Sequence, residues 1–262
     1  MTTYLFFTGG YDSTYRLCEL LMKEKNTVQP IYISDPYIDN YTNNKTRRRN
    51  NSNETNSQEK IITKIKKMFP ETKGLLKDTI TIDTIPYDNQ VSLAMKELKK
   101  RKYIRRSKCQ YGAMAQYCKN NNVNVEVCAE KGGHFERKLG KKTTTDTNNN
   151  IVFDIEKNHE LDIFRRFQLP IFSKTKETML NEATAYNFDE ILKNTWSCWY
   201  PKKNKPCGKC IMCKERIVPY IEGFQTITIK KVNNHSFIKN NKIEITLALL
   251  VLILIAKFSS CS

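Results

Sequence analysis

Apolar positions along the chain fall into two alternating patterns: compact runs, and stripes spaced three or four residues apart. Tyr4-Leu5-Phe6-Phe7 is a compact run that stops at Thr8-Gly9-Gly10, which predicts a buried strand. Asp12 or Ser13 is placed to cap a following helix, on which Leu17, Leu20 and Leu21 recur at helical spacing. Val28 to Ile33, Ile80-Thr81-Ile82 with Ile85, and the alternation Val123, Val125, Val127 predict three more strands. Helical stripes lie between them: Ile61, Ile62, Ile65 and Phe69; Val91, Met95 and Leu98; Met114, Tyr117 and Cys118. This alternation predicts an α/β fold with a doubly wound parallel sheet. No internal repeat is visible.

Two polar stretches interrupt the pattern. Asp39 to Gln58, with Arg47-Arg48-Arg49, reads as a long loop, and Lys138 to Asn150 as a second insert. Ser173 is expected to cap a helix reaching about Tyr186. Beyond Phe224 the character changes. Ile245 to Ala256 is apolar except for Thr246, twelve residues against the roughly 20 a spanning helix needs. It reads as a packed helix, a strand pair or an irregular tail rather than a membrane anchor.

The chain has 262 residues, enough for one large domain or a domain with an appendage at roughly 100–200 residues each. Hydrophobic residues are 39% and charged residues 27%, which excludes collagen, a wholly disordered chain and a polytopic membrane protein. Forty-four Lys and Arg against 27 Asp and Glu give a formal charge of +17. That excess is compatible with an anionic ligand, but it is spread through Lys/Asn-rich stretches and does not single out nucleic acid. There are nine cysteines, and Met1 to Phe7 lacks a basic n-region and a long apolar h-region, so a reducing cytoplasmic setting is expected.

Phe7-Thr8-Gly9-Gly10-Tyr11-Asp12-Ser13-Thr14 carries the first chemical signal. Two glycines at a strand end let backbone N–H groups approach an anion. Ser13 and Thr14 add hydroxyl donors, and the new helix directs its unpaired N–H groups to the same point. No Gly-Lys-Ser/Thr follows, so this is not a Walker loop, and it is not a dinucleotide G-x-G-x-x-G. The second signal is Cys198, Cys207, Cys210 and Cys213, spaced C-x₈-C-x₂-C-x₂-C. Four thiolates so close suit a tetrahedral structural Zn²⁺, with a redox dithiol or an iron–sulfur cluster as the other uses of such ligands. Gly208 relaxes the first knuckle, and Lys202, Lys203, Lys205 and Lys209 are expected to lower the thiol pKa values. His134, His159 and His235 lie outside this cluster.

The loop string resembles the S-G-G-x-D-S signature of the N-type ATP pyrophosphatases (the PP-loop enzymes), with Thr8 in place of the first serine. Asn194-Thr195-Trp196-Ser197-Cys198 and the stretch Pro206-Cys207-Gly208-Lys209-Cys210-Ile211-Met212-Cys213-Lys214-Glu215-Arg216 resemble the zinc knuckle of the 7-cyano-7-deazaguanine synthase family. Gln168-Leu169-Pro170-Ile171-Phe172 followed by Lys176-Glu177 is similar to the segment leading into that family's last helices, and Tyr103 to Lys119 lies where the family has a substrate-side loop and a long helix. The resemblance covers about residues 3 to 224. It implies an adenine nucleotide α-hydrolase-like fold over 1–224 with a small C-terminal zinc knuckle at 194–216, and a tail at 225–262.

The activity implied is an ATP-dependent carbon–nitrogen ligase of queuosine-type base biosynthesis. It converts 7-carboxy-7-deazaguanine and ammonia to 7-cyano-7-deazaguanine through an adenylate. ATP with Mg²⁺, a structural Zn²⁺ and a homodimer belong to the same implication. The cofactor-binding residues carried over are Phe7, Thr8, Gly9, Gly10, Tyr11, Asp12, Ser13, Thr14, Tyr15, Arg16 and Leu17, with Asp12 and Ser13 as the catalytic pair. Asp12 either orients the loop or binds Mg²⁺. The chain departs from the family on the substrate side. Tyr103-Ile104-Arg105-Arg106-Ser107 stands where a Pro-Gly-Arg-Asn stretch is usual, and Asp35-Pro36-Tyr37 where Tyr-Gly-Gln is. Glu130 follows the fourth strand, placed either as a ligand-facing acid or as a solvated loop carboxylate. Two other readings are an adenylating enzyme of the same fold acting on a tRNA base or another carboxylate, and a nucleotide-binding zinc protein without turnover.

Overall fold

The computed structural model describes residues 2–34, 50–105 and 109–216. Its five-stranded sheet runs in the order β3-β2-β1-β4-β7, with every pairing parallel. The strands are β1 (Thr2–Phe6), β2 (Thr27–Ile33), β3 (Ile80–Ile82), β4 (Val125–Glu126) and β7 (Phe167–Gln168). A separate antiparallel hairpin joins β5 (Thr143–Thr145) and β6 (Ile151–Phe153). The helices are α1 (Tyr11–Cys18), α2 (Asn51–Met68), α3 (Asn89–Lys100), α4 (Gln110–Asn121), α5 (His134–Leu139), α6 (Lys176–Ala185), α7 (Asp189–Leu192) and α8 (Ile211–Lys214).

Strand alternation divides the core in two. Phe6, Ile31, Val125 and Phe167 pack with Met95 and Leu98 of α3 and Ala113 and Met114 of α4. Leu5, Phe7 and Val28 pack instead with Leu17 of α1, Ile61 and Ile65 of α2, and Met179 of α6. Helices therefore cover both faces, as the strand-helix alternation predicts. The chain steps outward from β1 to β2 and β3, then returns to lay β4 on the other side of β1. The carboxyl ends of β1 and β4 flank that reversal, the place where open parallel sheets hold ligands.

Several local expectations change. Gly10, in extended conformation, precedes the first turn of α1; neither Asp12 nor Ser13 caps it, because both already lie inside the helix. Thr175, not Ser173, caps α6, its side chain accepting from the Thr178 N–H at 3.1 Å. Lys138 to Asn150 is not a structureless insert. It ends α5 and enters the hairpin, whose turn is closed by the Asp146 carboxylate accepting from the N–H groups of Asn148 and Asn150, each at 2.8 Å. The Asn-rich stretch is helical from Asn51 onward, as the start of α2. Arg47-Arg48-Arg49, Asp35-Pro36-Tyr37, the Arg106-Ser107 part of the substrate-side stretch, His235 and the apolar run 245–256 lie outside the described residues. Among the described residues no helix is long and apolar enough to cross a membrane.

One polar network ties α1 to the sheet. The Arg16 guanidinium donates to both Glu126 oxygens, at 2.8 and 2.7 Å, and to Glu19 at 2.7 Å, with Glu24 as a further partner. Arg16, Glu19 and Glu126 are all buried. Breaking a buried pair by removing one partner strands the other charge, which costs about 3–5 kcal/mol. Arg16→Ala is therefore expected to lower unfolding free energy by that amount in urea denaturation. Arg16→Met combined with Glu126→Leu should recover most of the loss.

Candidate active site and metal centre

The loop after β1 turns because Gly9 adopts φ +70°, a conformation other residues rarely take. A Cβ there would lie 3.0 Å from the Glu54 carbonyl oxygen and 3.2 Å from the Gln58 nitrogen, both in α2. The turn faces the Gly9 carbonyl toward two donors, the Trp196 N–H at 2.9 Å and the Ser57 hydroxyl at 3.1 Å. Within the loop, Thr8 N–H donates to Ser13 Oγ and Gly10 N–H to Thr8 Oγ1, both at 3.3 Å. Hydroxyls of Thr8 and Ser13 lie 3.4 Å apart. Thr14 Oγ1 is buried without a partner among the described residues. The residues fit an anion cradle: long, replaceable internal bonds at a helix start, with hydroxyls converging.

The eleven residues that the sequence groups around this loop separate into two sets. Thr8, Gly9, Gly10, Asp12, Ser13 and Thr14 form the turn and the first helical turn. Phe7, Tyr15 and Leu17 are fully buried core side chains. Tyr15 donates its hydroxyl to Glu182 at 2.6 Å, and Arg16 is held by its carboxylates. The side chains of Tyr15, Arg16 and Leu17 thus support the cradle from behind. Tyr11 is intermediate: its ring packs in the core while its hydroxyl reaches the Lys176 carbonyl at 3.2 Å.

Two residues from other segments complete the site. Lys176, the first residue of α6, places Nζ 2.8 Å from Asp12 Oδ1 and 3.3 Å from Glu130 Oε1. Glu130 is the loop carboxylate after β4, and it is mostly buried and paired with Lys176. Burial is the largest influence on Asp12 and lifts its carboxyl to about 6; Lys176 opposes this and Glu130 adds to it. Lys176 is raised despite its burial because both carboxylates hold its charge. Two acids and an ammonium thus meet beside the Thr8–Thr14 loop, at the ends of β1 and β4. Sequence periodicity does not reveal Lys176 as a site residue. Its signal in the sequence is its place in the Gln168–Phe172 and Lys176-Glu177 stretch that resembles the family, which gives it no role.

Cys198, Cys207, Cys210 and Cys213 bring their Sγ atoms within 4.8 Å of one another. Tetrahedral zinc with sulfur at ~2.3 Å needs sulfurs about 3.8 Å apart, so the four fit that ion. Gly208 at φ +70° makes the knuckle turn, and the N–H groups of Cys207 and Cys210 donate to the sulfurs of Cys198 (3.2 Å) and Cys207 (3.4 Å). Burial works against the Cys207 thiolate, yet backbone N–H groups of Lys209 and Cys210 bring its pKa down to about 6. The nearby lysines are exposed, and the larger lowering influences on Cys207 are these backbone N–H groups. Trp196 joins the knuckle to the cradle: its N–H donates to the Gly9 carbonyl at 2.9 Å, while its indole N–H donates to the Cys198 carbonyl at 2.9 Å. Arg216 adds bonds to Thr195 Oγ1 at 3.1 Å and Ser197 Oγ at 3.2 Å.

Comparison with known proteins gives one family. The family described as "Queuosine biosynthesis protein QueC" matches residues 3–225. No curated protein matches the chain.

Two measurements follow from this geometry. Metal analysis of purified protein should give about one zinc per chain, and Cys210→Ser should lose both zinc and thermal stability, since binding energy at such a site is folding energy. Asp12 carries the second. Its folded pKa lies above the ordinary value of 3.8, so protonation stabilises the fold at low pH, and that stability is lost as pH rises through about 6. Asp12→Asn cannot ionise. It should melt above wild type at pH 8, with the difference closing toward pH 4.

Proposed function

The chain belongs to the QueC family of queuosine biosynthesis proteins, and from that premise we propose how its own residues carry the reaction. The family's activity is ATP-dependent carbon–nitrogen ligation, 7-cyano-7-deazaguanine synthesis. The match favours this activity over another adenylating enzyme of the same fold or a protein without turnover. The observation that carries the assignment of roles is the convergence of the Thr8–Thr14 cradle with Asp12, Lys176 and Glu130 at the switch point of the sheet.

A carboxylate is a poor electrophile, and transfer of AMP to it creates a leaving group. We read the cradle as the seat of the ATP phosphates. The N–H groups of the loop and the hydroxyls of Ser13 and Thr14 accept the charge that grows on pyrophosphate as the α–β bond breaks. Lys176 supplies a mobile positive charge beside the same phosphates. Its competition with Asp12 and Glu130 keeps it poised when no nucleotide is bound. Mg²⁺ accompanies ATP, and Asp12 and Glu130 are the carboxylates that would hold it. Ammonia then displaces AMP to give the amide, and a second activation removes the amide oxygen to leave the nitrile. The protein's contribution throughout is placement and charge.

The zinc knuckle belongs, in this reading, to the catalytic unit over 1–224 and acts structurally; residues 225–262 form a separate tail. Substrate-side residues are drawn from the segment Tyr103–Cys109 and from Glu130. A homodimer and a cytoplasmic setting are part of the same reading.

Purified protein given ATP, Mg²⁺, ammonia and 7-carboxy-7-deazaguanine should yield AMP, pyrophosphate and the nitrile by mass spectrometry. Ser13→Ala should reduce turnover by ~10²–10³, the usual loss for one preorganised donor, with the fold intact by circular dichroism. ADP as the sole nucleotide product would defeat the assignment.

A further inference from the structure

We propose that Lys174 is a positioning residue that seats Lys176 over the phosphate loop. This rests on the ATP reading of that loop. Lys174 Nζ bonds to the Tyr15 hydroxyl at 2.8 Å, to Glu19 at 2.8 Å and to both Glu182 oxygens at 2.9 and 2.7 Å. Its carbonyl accepts from the Lys131 N–H at 2.9 Å, and its own N–H donates to the Ile171 carbonyl at 3.0 Å. One residue therefore joins α1, the loop that carries Glu130, the turn after β7 and the body of α6. Two positions later the same short segment delivers Lys176 to Asp12 and Glu130.

A general packing role is already filled by another residue. Arg16 neutralises Glu19 from within α1 and binds that helix to β4 through Glu126. Lys23 stands farther out, 3.7 Å from Glu19 and 3.6 Å from Glu182. Two tethers hold the segment 173–176 to the helix that opens at the loop: the Tyr11 hydroxyl on the Lys176 carbonyl at 3.2 Å, and Lys174, which alone of the two carries a charge into the carboxylates of α1 and α6. Without its ammonium, Glu182 on α6 and Glu19 at the end of α1 share the uncharged Tyr15 hydroxyl and the more distant Lys23, Glu182 loses its nearest cation, and the start of α6 moves outward. Lys176 rides on that start. Its ammonium keeps its place beside Asp12 only if the segment stays in place, and displacement of an ammonium by an ångström is enough to weaken its hold on a phosphate.

A double-mutant cycle on the full chain tests this, using Lys174→Met, Lys176→Met and the pair. The readouts are ATP affinity by calorimetry and ATP–pyrophosphate exchange with 7-carboxy-7-deazaguanine, beside melting temperature. Lys174→Met should weaken ATP binding and slow exchange by about 10-fold, and should do neither when Lys176 is already methionine. Lys174→Arg should restore most of the loss. Should Lys174→Met not fold, Glu182→Gln removes part of the same tether and should show the same dependence on Lys176 at smaller size. An equal loss in both backgrounds overturns the proposal, because Lys174 then acts on the fold at large. A wild-type chain that binds no ATP overturns instead the reading on which the proposal rests. Exchange by wild type with additive mutant effects leaves that reading standing and removes only this one.

Discussion

The Gly9 carbonyl oxygen is where three distant parts of the chain are held together. It accepts one bond from Ser57 in α2 and one from Trp196 ahead of the cysteines. It can do so only because Gly9 turns at φ +70° and has no side chain to strike Glu54 and Gln58. The bend that opens a phosphate cradle on one side is thus the same bend that presents an acceptor on the other. Helix α2 has no freedom to drift, since its backbone lies in contact with the loop. This explains why the first turns of α2 bury Asn53, Glu54, Ser57 and Gln58, residue types that usually remain in water.

The electrostatics beside that bend follow a different logic from those behind it. Behind it, Arg16 meets Glu19, Glu24 and Glu126 while Lys174 and Lys23 also face Glu19, so several cations share the carboxylates. In front, two carboxylates compete for Lys176 alone, and burial lifts Asp12 to about 6. The first arrangement stabilises the fold. The second leaves charge unsatisfied at a place where a ligand brings more charge, which is the pattern expected of a working site.

The sequence reveals these parts unequally. Strands β1, β2 and β4 and helices α3 and α4 are visible because their burial is apolar and therefore patterned, whereas β3 shows through its β-branched residues although Ile80 and Thr81 are exposed. The phosphate loop and the cysteines are visible because their chemistry demands rare residues at fixed spacing. The first half of α2 is hidden: it packs on a polar loop, so its buried face reads Asn, Glu, Ser and Gln, which imitates solvent-exposed sequence. The hairpin β5–β6 is hidden for a related reason, as Thr143-Thr144-Thr145 and the Asn-rich turn contribute no apolar alternation, and the core takes Phe153 with Ile151 half-buried beside it. Lys176 and Glu130 meet only through tertiary structure, 46 positions apart in sequence. The source of the Cys207 shift also escaped, because backbone N–H groups leave no trace in residue identity.

Trp196 gives the metal centre a thermodynamic reach beyond its own ligands. Its backbone holds the cradle and its indole holds the carbonyl of the first cysteine, so the geometry at one end is conditional on the other. Coupling of this kind is symmetric: if zinc tightens the nucleotide, the nucleotide must tighten zinc by the same factor. On the proposed reading of the two sites, a cell short of zinc but rich in ATP would then keep the protein metallated longer than its four sulfurs alone could manage.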